Sequence, residues 1–186
     1  MICKAMTLFA RQRLVVSYRM DKPYYVMLTG SKNNAGDFLI KHRAKELFSW
    51  LRPDREVIDL NAWEILDSKK LDIVNGSCAV ILTGGPSLQK KMYPGVYALC
   101  DCLDSILPPM VTLGVGGNSL STGWSGTHGY VFTRQTQALL TRLSSNGLFN
   151  SVRDYHTLNI LNHAGVENVS MTGCPAIYRK EFIGSQ

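Results

Sequence analysis

Four times along the chain a β-rich apolar run closes on glycine. Tyr24–Thr29 ends at Gly30, Cys78–Thr83 at Gly84-Gly85-Pro86, Met110–Val115 at Gly116-Gly117, and Val169–Thr172 at Gly173-Cys174-Pro175. Val57–Leu60 and Phe149–Val152 read as two further short strands. Cys78–Thr83 is apolar almost throughout, as in a parallel sheet covered on both faces. The stretches between show helical spacing. Ile40, Ala44, Leu47, Phe48 and Leu51 share one face of a helix that Pro53 ends. Val96, Leu99, Leu103 and Ile106 predict a helix over 95–106, stopped by Pro108-Pro109. Leu139, Leu140 and Leu143 face inward from a helix over 133–145, and Asp154 caps another that carries Leu158 and Leu161 and stops at Gly165. Strands alternating with helices imply right-handed crossovers, hence an α/β fold: a mostly parallel sheet with helices on both faces.

Composition narrows the function. The 186 residues suit one domain with a real core, at 45% hydrophobic and 18% charged. No apolar run approaches membrane-spanning length. Met1–Val16 lacks the long apolar stretch and cleavage site of a signal peptide, so the reading is cytoplasmic. The five cysteines read as reduced thiols, because Cys100 and Cys102 lack the second pair that zinc needs. The net charge of +6 is scattered, which argues against nucleic acid and suits a small anionic ligand or an acidic membrane surface touched peripherally.

In an open α/β sheet, ligands bind beyond the C-terminal strand ends. The loops at Gly30–Asp37, Gly84–Leu88, Gly114–Ser119 and Gly173–Pro175 all fall there. Gly114-Val115-Gly116-Gly117-Asn118-Ser119 has serine where a dinucleotide fingerprint has its last glycine, and no Walker loop occurs. Asp37 opens the first helix, where a carboxylate either answers the helix dipole or deprotonates a sugar hydroxyl. Arg153 either grips an anion bidentately or makes a structural ion pair. His128, between Thr127 and Gly129, is either a general acid or base or merely exposed, and His156 sits in the first turn of its helix.

Taken in order, Asn33-Asn34-Ala35-Gly36-Asp37, Thr83-Gly84-Gly85-Pro86-Ser87-Leu88, Gly114-Val115-Gly116-Gly117, Ser151-Val152-Arg153-Asp154 with Leu158, Leu161 and Gly165-Val166, and Thr172-Gly173-Cys174-Pro175 resemble the polysaccharide pyruvyl transferase family. The resemblance runs from about Tyr24 to Tyr178. It implies a Rossmann-like domain over 24–186, after an N-terminal extension over 1–23, equivalent to the N-terminal half of a GT-B-like two-domain enzyme. It implies transfer of a pyruvate ketal from phosphoenolpyruvate to a sugar hydroxyl in cell-surface polysaccharide biosynthesis, with no cofactor and no metal.

The implied partners are the small-molecule donor and a sugar or polysaccharide-precursor acceptor. Asp37 and His128 become the expected catalytic residues, and Asn34, Gly36, Gly84, Gly85, Ser87, Gly116, Gly117, Arg153 and Asp154 the expected substrate contacts. The residues gripping phosphoenolpyruvate are expected mainly in the other half, so 1–186 alone is expected to be inactive. Cys174 stands where the family commonly has aspartate, which removes an acidic role there. A GT-B nucleotide-sugar glycosyltransferase and a non-catalytic binding domain remain the alternatives.

Overall fold

The computed structural model describes residues 21–30, 33–117 and 124–183. The expected N-terminal extension falls largely outside them. Six strands form one wholly parallel sheet: β1 (Tyr24–Thr29), β2 (Glu56–Asn61), β3 (Val80–Leu88), β4 (Met110–Gly117), β5 (Asn150–Val152) and β6 (Val169–Met171). Their spatial order is β2-β1-β3-β4-β5-β6. The chain therefore reverses direction across the sheet between β1 and β3, which opens a crevice at their C-terminal ends.

Helices cover both faces, as the alternation implies. On one face lies α1 (Ala35–Leu51), with Ala44 and Phe48 packed on Met27 and Ile81. On the other lie α2 (Ser68–Asn75), α4 (Arg134–Ser145) and α5 (Tyr155–His163), whose Val74, Leu139, Leu140, Leu143, Ile160 and Leu161 join the larger core. Alternation along β1 feeds both layers: Val26 and Leu28 face the larger core, Met27 the smaller. The helix boundaries follow local chemistry. Asn34 caps α1 by accepting from the Gly36 N–H at 2.9 Å, and Asp154 caps α5 by accepting from the Thr157 N–H at 2.7 Å.

Four expectations change. The stretch 95–106 is not a helix. It comprises the end of a wide turn, Met92–Val96, an extended segment and one tight turn, Leu103–Ser105. Its backbone is satisfied non-locally, with the Ala98 N–H donating to the Ala62 carbonyl at 2.7 Å and the Leu99 carbonyl accepting from Leu66 at 2.6 Å. Leu99 and Ile106 are buried all the same. The third strand begins at Val80, not Cys78, and does not stop at Gly84, because β4 continues to pair with it through Gly85↔Val115 and Leu88↔Gly117. A helix absent from the sequence reading, α2, forms from a charged stretch that buries only Val74 and is capped by Asp67. Finally, Cys78, Cys100 and Cys174 are free, but Cys102 is disulfide-bonded, against the reading of five reduced thiols.

Candidate functional site

The C-terminal tips of β3 and β4 form the floor of the crevice. At Gly85 the backbone turns left-handed, with φ +79°, a conformation that side chains rarely adopt. A Cβ there would also lie 2.7 Å from Asp37 Oδ1, so glycine leaves room for the Asp37 carboxylate to rest on the strand tip. Gly84 meets Ile40 in the same way, which seats the first turn of α1 directly on β3. Gly36 and Asn34 complete that turn. Asp37 is half-buried and makes no ion pair among the described residues.

One strand further along, Arg153 occupies the matching position. Its backbone N–H donates to the Val115 carbonyl at 3.0 Å. Its guanidinium then folds over Gly116, so closely that a Cβ there would coincide with it. Arg153 Nε lies 3.5 Å from Asp154 Oδ2, a loose, partly exposed pair that leaves the fork able to engage an anion. The Gly117 N–H donates to Thr157 Oγ1 at 2.6 Å, locking the end of β4 to α5. Because Gly85 and Val115 are register partners, Asp37 and Arg153 stand over adjacent strands, whose axes are about 4.8 Å apart.

A buried tyrosine holds this rim. The Tyr97 hydroxyl donates to the Thr83 carbonyl at 3.1 Å and lies 3.1 Å from Ser87 Oγ. Burial keeps its phenol well above the ordinary tyrosine range; the Ser87 hydrogen bond opposes this shift and the Asp37 carboxylate adds to it. Tyr97 therefore stays protonated and ties the two ends of the irregular stretch Thr83–Ser87 together. Sequence reasoning missed it, because it lies in the segment read as helix.

The structure thus gathers Asn34, Gly36, Asp37, Gly84, Gly85, Gly116, Gly117, Arg153 and Asp154 at one sheet edge. It does not bring His128 to that edge, and it buries Ser87 within the tip of β3. Ser87 is buried, with its hydroxyl beside Tyr97. His128 ends the single helical turn α3 (Ser125–His128), its ring edge-on to His163 at 4.2 Å between centroids. His163 is the last residue of α5, about 12 Å along that helix from its crevice end.

Fold and edge together define an open, doubly wound α/β domain whose crevice is lined by glycine, the Asp37 and Asp154 carboxylates and the Arg153 guanidinium. Residues 34–186 match the pattern that defines polysaccharide pyruvyl transferases, and the chain belongs to that family. Comparison with curated proteins and with solved structures returned no match. Among the described residues, no helix is long and apolar enough to cross a membrane.

Proposed function

We propose that the chain supplies the acceptor side of a pyruvyl transferase that moves the three-carbon unit of phosphoenolpyruvate onto a sugar diol. The observation that carries this reading, beside family membership, is the pairing of Asp37 on Gly85 with Arg153 on Gly116 over neighbouring strands. In the reaction, C3 of the donor takes up a proton and becomes a methyl group. One sugar hydroxyl adds to C2 and loses its proton, and a second displaces phosphate, closing the ketal. Asp37 is the base that receives a hydroxyl proton. Arg153 steadies the donor's carboxylate or departing phosphate. The remaining donor contacts belong to a facing domain of GT-B-like arrangement, and the compartment is the cytoplasm, where phosphoenolpyruvate and activated sugars are made.

Two measurements test this. Joined to its facing domain, the chain should release inorganic phosphate from phosphoenolpyruvate only when a sugar diol is present. Calorimetry should show phosphoenolpyruvate binding and none for UDP- or GDP-sugars; the reverse pattern would make the protein a nucleotide-sugar glycosyltransferase.

A further inference from the structure

The same sheet edge carries an aromatic surface that the Asp37–Arg153 pair does not use. Trp124 is 61% exposed, yet the turn that carries it is firmly fastened. The N–H and hydroxyl of buried Thr127 both donate to the Trp124 carbonyl, at 3.1 Å and 2.7 Å. Asn159 of α5 donates in turn to Thr127 Oγ1, and His128 packs on His163. These contacts hold the indole 6.2 Å from the His156 ring, tilted by 42°. His156 lies three residues beyond Arg153 in the first turn of α5, so the indole stands at the crevice end of that helix. His156 Nε2 is shielded from solvent and has no hydrogen-bond partner among the described residues. An indole turned toward water on a fastened turn, beside a ring nitrogen that no described residue answers, is an arrangement suited to an outside ligand.

We propose that Trp124 is a stacking platform for a pyranose ring of the acceptor, with Asp154 addressing the hydroxyl groups at its rim. This rests on the transferase reading above. A pyranose has an apolar C–H face and a rim of hydroxyls. The indole offers the matching apolar face. The Asp154 carboxylate, only loosely paired with Arg153, offers acceptors to the hydroxyl protons of that rim. A nucleobase would also stack on tryptophan, but its diphosphate would then meet the Asp154 and Asp37 carboxylates. The charges favour a neutral polyol.

The test is a titration of the protein with methyl glycosides of common hexoses and N-acetylhexosamines, read by tryptophan fluorescence and saturation-transfer NMR. Trp124→Ala should raise the Kd of the best glycoside about tenfold and Trp124→Phe should recover most of that loss, with the melting temperature unchanged. Glycoside binding indifferent to Trp124→Ala would overturn the proposal, as would no glycoside binding to the wild type. Tighter binding of UMP or GMP through Trp124 would overturn it in favour of a nucleobase platform. Glycoside binding through Trp124, with no phosphate release from phosphoenolpyruvate even when the chain is joined to its facing domain, would uphold the platform and sink the transferase reading instead.

Discussion

Gly114 and Gly116 lie two residues apart in β4, and adding one methyl group to each should have opposite consequences. Gly114 has φ +61°, and a Cβ there would fall 2.2 Å from Pro175 Cδ and 3.1 Å from the Gly173 carbonyl oxygen. Neither neighbour can yield, since one is a proline ring and the other is backbone. The left-handed conformation alone costs an alanine roughly 1–2 kcal/mol, and overpacking adds about 1–3 kcal/mol. At 2–4 °C per kcal/mol for a domain of this size, Gly114→Ala should lower the melting temperature by on the order of 5–15 °C.

At Gly116 the obstacle is the far end of one flexible side chain, Arg153 Nε at 1.9 Å from the added Cβ. The guanidinium must retreat by roughly 1.5–2 Å to reach ordinary contact. Its pair with Asp154 is partly exposed and worth about 0–1 kcal/mol, and removing a glycine stiffens the unfolded chain by about 0.4–1 kcal/mol in compensation. Gly116→Ala should therefore melt with the wild type yet lose turnover as Arg153→Ala does. Thermal unfolding by circular dichroism, with the phosphate-release assay, reads both. If Gly116→Ala melted as low as Gly114→Ala, or if Gly114→Ala melted with the wild type, the geometric reasoning would fail.

Three further outcomes are expected. Asp37→Asn should abolish most transfer while costing no more than about 0.3–1 kcal/mol of helix-dipole stabilisation; full activity in that variant would reduce Asp37 to a helix-end residue. Buried Asn150 accepts from the Thr112 N–H at 3.0 Å and donates to the Leu143 carbonyl at 3.1 Å, bridging β4 to α4 where β5 is short. Asn150→Ala should cost about 1–3 kcal/mol in urea unfolding by orphaning the buried Thr112 N–H, while the Leu143 carbonyl keeps its bond from Asn168 Nδ2 at 3.2 Å; a loss under 1 kcal/mol would contradict the bridge. The bidentate hydrogen bond from Arg52 holds the Asp54 carboxyl down to about 2. A depressed carboxylate stabilises the fold above its unfolded pKa near 4 and loses that contribution as pH falls through its folded value. NMR titration should find the Asp54 midpoint near 2 and see it rise in Arg52→Ala, with Arg55 and a backbone hydrogen bond still holding it down in part.

All six strands, the start and stop of α1, and the inward face of α4 were legible from residue order. Each rests on a local rule: apolar runs closing on glycine, Asp37 answering the helix dipole, Pro53 refusing to continue a helix, leucines at helical spacing. Family membership was legible for the same reason, because its motifs are short and fall in fixed order around the strand ends. The residues of the rim could be named singly from sequence. Their pairing could not, since it depends on the 2-1-3 strand order that sets β3 and β4 side by side. Only the folded chain shows that Asp37 rests on Gly85 and Arg153 on Gly116.

Tertiary context also overrode local signals. Residues 95–106 have helical spacing but find their backbone partners in the loop Ala62–Leu66, which frees Tyr97 to reach the tip of β3. His128 has the composition of a crevice loop, yet Thr127 and Asn159 fasten its turn along α5 and carry the imidazole to His163, away from the rim. The same fastening sets Trp124 at the crevice end. Periodicity and capping are encoded within a few residues of one another, so sequence alone determined the elements. Which side chains share the crevice was decided by contacts between residues some thirty to fifty positions apart, and those exist only once the sheet is assembled.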